Sequence, residues 1–467
     1  MHTDLSLAAH PAARLERLPL GRFHRRFIVL VSLGCWFDVF DIFMMAYLGA
    51  ALQSSHFLTL AQFTDLIAAG FLGMFAGTIV LGAGSDSFGR RPAFILMLLI
   101  YSVFSLAGAL APNPGVLLAA RVLAGAGIGA EMVVIDTYVS EMVPSRARGR
   151  YVAITQLIGF TAIPAAALLA RVLVPTHWLM SGWRWVMVLG SAGALLSWFL
   201  RRNLPESPRW LESRGRSDEA ATILAGLERE SAQESAAASS APAIVTFAAG
   251  ERGAAEISEH RMPFRELWKP PYRARTLMLA VFHLLQTVGF YGFANWAPTF
   301  LLREGHNLKT SLDYGFLIAL VSPVGPLLGV LTTERFERKR AIVVLALLVA
   351  VAGLGFPKAS HLGSSSGAIA IVAIGALLTM FSYWFSSVLH AYQAELFPTR
   401  ARATGVGFTY SWSRLSAVLS TFVIGALVAR SVTAVFVFIA AAMTGVALVV
   451  GLWGPRTNST ALEEVSG

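Results

Sequence analysis

Charge is what this chain has least of. Only 14% of its 467 residues are Asp, Glu, Lys or Arg, against roughly 25% in an ordinary soluble domain. That deficit argues against a disordered chain, a nucleic-acid-binding domain and most soluble enzymes. Cysteine is almost missing as well. Cys35 stands alone, so neither an internal disulfide nor a thiolate metal site can form. No group of His, Asp and Glu has metal-ligand spacing, so no metal is expected. No nucleophile–base set, nucleotide fingerprint or ATPase motif appears, so neither enzymatic activity nor a cofactor is expected. The glycines around Gly125 to Gly129 are not preceded by a strand, which argues against a phosphate cradle and for close packing between helices. A signal peptide is not apparent, because the first apolar run, from about Phe27, is too long for one and lacks a small-residue cleavage pattern.

What the chain has is apolar length. Hydrophobic residues make up 55% of it, and twelve stretches reach the ~20 residues needed to cross a bilayer. They lie near 27–51, 63–84, 92–111, 115–142, 151–174, 183–202, 275–302, 312–333, 340–357, 366–390, 404–429 and 433–454. Spanning segments without the alternation of a membrane barrel are helices, because lipid satisfies no backbone hydrogen bonds. The expected fold is an all-α membrane protein with twelve transmembrane helices in two six-helix bundles. The first half covers 1–202 with a basic N-terminal segment. A polar, Ser/Ala-rich linker covers 203–274, and the second half with its short tail covers 275–467. Within the linker, Glu212 to Glu230 and Pro263 to Lys269 read equally well as surface helices or as a solvated tether.

The net charge of +10 is a topology signal. Counting short segments, one side holds 16 basic residues: Arg14, Arg17, Arg22, Arg25, Arg26, Arg90, Arg91, Arg146, Arg148, Arg150, Arg335, Arg338, Lys339, Arg340, Arg400 and Arg402. The other holds six: Arg171, Arg184, Arg303, Lys309, Lys358 and Arg430. Both termini are therefore expected to be cytoplasmic. The abundance of Arg and Ala suits a GC-rich bacterial genome and hence an inner-membrane location. A nucleic-acid surface would need a contiguous basic patch interleaved with aromatics, and none is present.

The two halves repeat one another. Asp136 to Arg148 (Asp-Thr-Tyr-Val-Ser-Glu-Met-Val-Pro-Ser-Arg-Ala-Arg) aligns without a gap with His390 to Arg402 (His-Ala-Tyr-Gln-Ala-Glu-Leu-Phe-Pro-Thr-Arg-Ala-Arg). Asp86 to Arg91 aligns with Glu334 to Lys339. A duplicated six-helix unit places a solute site near the midplane between the halves. Recurring acid–base sets at the inner ends point to an inner gate of Asp86, Arg90, Arg91, Glu141 and Arg148, repeated as Glu334, Arg338, Glu395 and Arg402. Such pairs could form a latch that breaks when the halves rock apart, or could merely fix topology and cap helices.

These residues also carry a family resemblance. Gly82-Ala-Gly-Ser-Asp86-Ser-Phe-Gly89-Arg90-Arg91 resembles the loop signature between helices 2 and 3 of the major facilitator superfamily. Pro205-Glu206-Ser207-Pro208-Arg209-Trp210-Leu211 resembles the motif after helix 6 of sugar porters and organic-ion transporters, and Arg121-xxx-Gly125-x-Gly127-x-Gly129 fits the same branch. Two departures argue against sugar. Helix 7 carries Gln286 alone where sugar porters pair glutamines, and Pro455-Arg456-Thr457 replaces the Pro-Glu-Thr after helix 12. Gly34-Cys-Trp36-Phe37-Asp38-Val-Phe40-Asp41 resembles the double-aspartate pattern of proton symporters for aromatic acids. Together with Gly127 to Glu131 and Tyr291 to Pro298, it is most similar to the bacterial niacin transporters.

Charge inside a membrane costs at least ~2.5–3.5 kcal/mol per group at a helix centre, so each such residue is a functional candidate. These are Asp38, Asp41, Arg121, Glu131, Asp136 and Arg414, with His283 and His390. Asp38 and Asp41 are three apart and share a helical face. Two close carboxylates do not readily both ionise in a low dielectric, and a carboxyl that exchanges a proton is what coupling requires. Arg121 is the natural counter-ion. By resemblance to proton-coupled sugar porters, Asp41 and Arg121 form the coupling pair. Glu131 is the second candidate carrier. Asp136, lower on the same span, is a candidate for the inner latch. A purely structural ion pair is the competing reading.

Arg414 is the only charge in the eleventh span. Its planar fork suits a carboxylate, and the resemblance to organic-ion transporters implies an anion type. It is the expected anchor of the solute, unless it pairs with an acid of helix 1 or 4. Tyr291, Asn295 and Tyr383 are favoured as its companions, with Gln286, Gln156, Trp36 and Trp296 completing the set. Aromatics with polar tips would suit a flat ligand, though packing is the alternative for each. The function expected is alternating-access, proton-coupled import of a small organic acid such as niacin. The partners would be solute, protons and bilayer, and the protein a monomer. The competing readings are an organic-cation or drug exporter, a sugar:proton symporter and a non-transporting sensor.

Overall fold

The computed structural model describes residues 11–202, 204–238, 264–270, 272–332, 335–360, 364–397 and 399–456. Among them, twelve helices are long and apolar enough to cross a membrane. Spans 1 to 6 are Arg22–Ser54, Leu60–Leu81, Arg90–Ala109, Pro114–Met142, Ala147–Leu173 and Gly182–Arg201. Spans 7 to 12 are Tyr272–Ala294, Leu308–Thr332, Arg338–Ala359, Ser366–Gln393, Gly405–Val428 and Val432–Trp453. They form the two six-helix bundles of a major facilitator fold.

Three expected spans are interrupted, each at a proline. Pro cannot donate to the carbonyl four residues back. Pro164 thus releases the carbonyl of Phe160, and the helix breaks at Thr161 between Ser145–Phe160 and Ala162–Leu173. Pro323 does the same between Leu308–Ala319 and Val324–Thr332. The stretch expected as one helix over 275–302 ends at Ala294 and resumes as Ala297–Arg303, with Pro298 in its first turn where a missing N–H costs nothing. The unwound step leaves Asn295 buried with its carbonyl oxygen Oδ1 unpaired.

The first half closes on glycines. A Cβ on Gly73 or Gly77 of span 2 would lie 2.1 or 2.0 Å from the carbonyl oxygens of Val122 or Ala126. One on Gly129 of span 4 would lie 2.2 Å from that of Met74. The two backbones therefore touch, and Thr78 bonds the Gly129 carbonyl across the seam at 3.0 Å.

The repeat is visible in side-chain contacts. Arg90 pairs with Glu141 at 2.9 Å, and its counterpart Arg338 pairs with Glu395 at 3.1 Å. Tyr138 donates to the Pro205 carbonyl, and its counterpart Tyr392 to that of Pro455. The halves differ at the next residue. Glu206 accepts from the backbone N–H groups of Arg90 and Arg91, capping span 3, where an anion suits the helix dipole. Arg456 offers no acceptor at the equivalent place. Burial pushes the Glu206 carboxyl above its usual value, against the pull of those N–H donors.

Outside the bundles, the linker begins with helices Pro208–Ser213 and Ser217–Ala238, and a short 3-10 turn covers Phe264–Trp268. The apolar face of the long linker helix is covered by protein. Leu224 and Leu227 pack on Leu15 and Leu18 of the N-terminal segment. Arg14 binds Glu228 at 2.6 Å, and Arg25 binds Glu234 at 2.7 Å.

Candidate functional site

Spans 1 and 4 each carry two buried charges, Asp38 and Asp41 on the first and Arg121 and Glu131 on the second. Asp41 is fully buried and accepts from the Arg121 guanidinium of span 4 at 2.5 Å and from the Ser105 hydroxyl of span 3 at 3.1 Å. The geometry thus joins the two residues that the sequence singled out as a pair. Asp38, one turn earlier, is also fully buried; among the described residues neither of its oxygens accepts from a donor group, and its carboxyl lies against that of Glu131. Glu131 of span 4 is paired with Arg201 at 2.8 Å, both completely enclosed.

Arg201 is the residue that the sequence reading missed. It lies at the end of the sixth expected span, beside Arg202, and carries no mark that separates it from a snorkelling end residue. Its guanidinium instead turns back into the bundle, donates to the carbonyls of Leu30 and Val31 at 2.9 and 3.2 Å, and lies over the ring of Phe94 at 4.1 Å. The space it fills exists because residue 34 is glycine, since a Cβ there would sit 1.6 Å from Nη2. Gly34 was the available signal.

Arg414 sits at the middle of the molecule and is 8% exposed. Its guanidinium reaches across to the first half, meeting the sulfurs of Met132 at 3.3 Å and Met74 at 3.7 Å, and lies near the Tyr410 ring at 5.7 Å. Tyr291 and Tyr410 are its polar neighbours. Among the described residues no carboxylate pairs with it, so the pairing with a helix-1 or helix-4 acid weighed above is not made.

Beside Arg414, aromatic rings from both halves converge. Tyr291 of span 7 stacks on Phe43 of span 1 at 6.3 Å and meets Phe71 of span 2 edge-on at 4.8 Å. Tyr383 of span 10 packs on Phe160 at 4.8 Å and Phe290 at 5.1 Å. The four phenylalanines went unnoticed in the sequence because an apolar ring in an apolar span carries no distinguishing mark.

The other candidates are dispersed. Gln286 is buried and donates to the Thr287 hydroxyl of its own helix at 3.0 Å. Gln156 is half-buried on span 5. Trp36 donates its indole N–H to Thr161 at 3.1 Å and stacks on Phe40, bracing span 1 against span 5. Trp296 departs from its expected role. It is 1% exposed, wedged between Phe63 and Phe300, and so packs where the halves meet and presents no free face.

That meeting is at the end remote from the chain termini. There Arg171 of span 5 binds Asp313 of span 8 at 2.5 Å, and Gln53 reaches Thr299 at 3.4 Å. A Cβ on Gly425 of span 11 would meet the Thr64 hydroxyl of span 2 at 2.3 Å. At the other end, the expected inner-gate pairs Arg90–Glu141 and Arg338–Glu395 each join helices of one half. They brace each half internally and do not lock one half to the other. Arg91 donates to the Arg202 carbonyl at 2.5 Å, and Arg148 approaches Glu16 at 3.8 Å. The side chains of Asp86, Glu334 and Arg402 lie outside the described residues.

Comparison with known proteins agrees with this architecture. The family model described as "Sugar (and other) transporter" matches residues 28–467. The chain is 32% identical to the putative metabolite transport protein YyaJ of Bacillus subtilis, over 97% of this chain and 96% of that one. It is 29% identical to the niacin transporter NiaP of Acinetobacter baylyi, over 97% and 99%. In fold it is similar to the partially occluded, inward-open xylose transporter XylE of E. coli, with a TM-score of 0.73 and 18% identity, covering 93% of this chain and 99% of that one.

Proposed function

The chain belongs to the sugar (and other) transporter family, and from that premise we propose that it imports a small aromatic carboxylate, with niacin as the prototype, in symport with protons. That it is a multi-pass membrane transporter of metabolites, and no enzyme, follows from the family. The solute and the coupling are our reading. The observation that carries it is Arg414, a buried guanidinium with no carboxylate partner among the described residues. An unpaired charge in a low dielectric is costly, and a planar carboxylate would complete it bidentately. The ring of Tyr291 beside it, with Tyr383 next along the aromatic cluster, suits a flat solute. The 29% identity to a niacin transporter supports the same solute class.

Coupling is assigned to Asp41 and Arg121. With Asp41 ionised, the 2.5 Å pair ties span 1 to span 4. A proton on Asp41 replaces that bond, loosens the two helices and favours the solute-loaded halves tilting. Loss of the proton on the other side restores the pair. With both termini cytoplasmic, as the basic short segments favour, the closed end faces the periplasm of a bacterial inner membrane and the chain acts as a monomer. A cation exporter fits less well, because Asp41 and Glu131 already have cationic partners while, among the described residues, Arg414 has no anionic one. In proteoliposomes, nicotinate should enter down a proton gradient and alkalinise the outer medium. Uptake indifferent to that gradient, or competition by nicotinamide equal to that by nicotinate, would refute the reading.

A further inference from the structure

The first half encloses more acid than its cations match. Arg121 answers Asp41, and Arg201 answers Glu131. Among the described residues, Asp38 has no cation of its own, no exposed surface and no donor group on either oxygen, and its carboxyl meets that of Glu131. The groups facing it are Glu131 of span 4, Arg201 of span 6 and Asp41 on its own helix. Cys35, one turn back, and Tyr101 of span 3 also feel its field. Three carboxylates against two guanidinium groups would leave a net negative charge in a dry interior, which is strongly unfavourable. Two neighbouring carboxyl groups beside one arginine resolve this by holding one proton between them.

We propose that Asp38 and Glu131, oriented by Arg201, form a second proton-exchanging site, separate from Asp41–Arg121, so that two protons accompany each solute. The proposed route outward runs past Asp136. Asp136 lies five residues beyond Glu131 on span 4 and is exposed, and Cys35 lies within the fields of Asp38, Glu131 and Asp136 together. The proton leaves the Asp38–Glu131 pair for water at Asp136. The pair is then two carboxylates facing one guanidinium, until a proton from the opposite side restores it.

The inference rests on the proposed symport of a monovalent carboxylate, and its consequence is electrical. One proton with such an anion moves no net charge, whereas two protons move one positive charge. A charge crossing 100 mV gains about 2.3 kcal/mol, or roughly 50-fold in accumulation. Wild-type proteoliposomes given an inside-negative potasssium-diffusion potential should therefore accumulate nicotinate to that extent without a pH gradient. Asp38→Asn should lose the response to potential and keep the response to a pH gradient. Wild-type transport that ignores the potential, or an Asp38→Asn protein that still follows it, overturns the proposal.

Infrared spectra of the purified protein give a readout that needs no solute. At neutral pH the carbonyl stretch of a protonated carboxyl should be present, should vanish in Asp38→Asn and in Glu131→Gln, and should persist in Asp41→Asn. Its absence from the wild type, or its survival in both of the first two variants, overturns the shared proton. If the wild type carries no nicotinate, the proposed solute fails, and the infrared band alone decides the site.

Discussion

Arg414 and Asp41 are both charges in a membrane interior, and their surroundings assign them different work. Asp41 is satisfied by Arg121 and Ser105, so its chemistry lies in breaking and remaking that contact. Asp41→Asn should cut accumulation driven by a pH gradient to what one remaining proton supports while solute exchange at equal concentrations continues, as paired uptake and counterflow assays would read. Arg414 is met by two thioethers, a ring face and the Tyr291 hydroxyl, none of them an anion, so its chemistry lies in what it can still bind. Hydrogen bonds to charged groups contribute about 1.5–3 kcal/mol. Arg414→Ala should therefore weaken nicotinate binding roughly 10- to 150-fold and leave nicotinamide binding little changed, as titration of the purified protein would show. Asp41, Arg121 and Arg414 were legible in the sequence because charge is rare in apolar spans. Arg201 was not, because a basic residue at a span's edge looks the same whether it snorkels to water or folds back inside.

Single elements depend on what they touch. Span 1 passes Arg201 only because Gly34 has no side chain. A Gly34→Ala protein should lose about 3–5 kcal/mol, the cost of breaking a buried ion pair, with a lowered Tm in detergent. Gly149→Ala, where a Cβ meets nothing within 4 Å, serves as the control that leaves Tm unchanged. The N-terminal helix Pro11–Arg17 is held on the linker helix by Leu packing and by Arg14–Glu228. The hydrogen bond from Arg14 holds the Glu228 carboxyl below its usual value of about 4.3. A lowered folded value means stabilisation fully present above that pH and lost as pH falls through it. Protection factors over 11–17, corrected for the intrinsic exchange rate, should fall below about pH 4 and stay level between pH 6 and 8; the effect is small, since exposed pairs contribute at most about 1 kcal/mol. The helices themselves were readable from apolar run length. Their breaks at Thr161 and around Pro323 were not placed in advance, although prolines marked them, because transmembrane helices often tolerate proline.

At the scale of the whole molecule, the two halves meet through Arg171–Asp313, Gln53–Thr299 and the Gly425–Thr64 contact, all at the end remote from the termini. Alternating access requires that end to open. In a Cys35→Ala background, joining Gln53→Cys to Thr299→Cys with a short cross-linker should arrest transport, and reduction should restore it. A cross-linked protein with full uptake would mean that this end does not move.

The sequence by itself determined the twelve spans, the duplication and the rarity of internal charge, because each follows from run length, alignment or composition along one chain. Only the tertiary structure decided that Glu131 belongs to Arg201, that the gate pairs Arg90–Glu141 and Arg338–Glu395 stay within each half and that, among the described residues, Arg414 meets no acid. These facts depend on which helices lie side by side, and charges far apart in the sequence acquire partners only when packing brings their helices together.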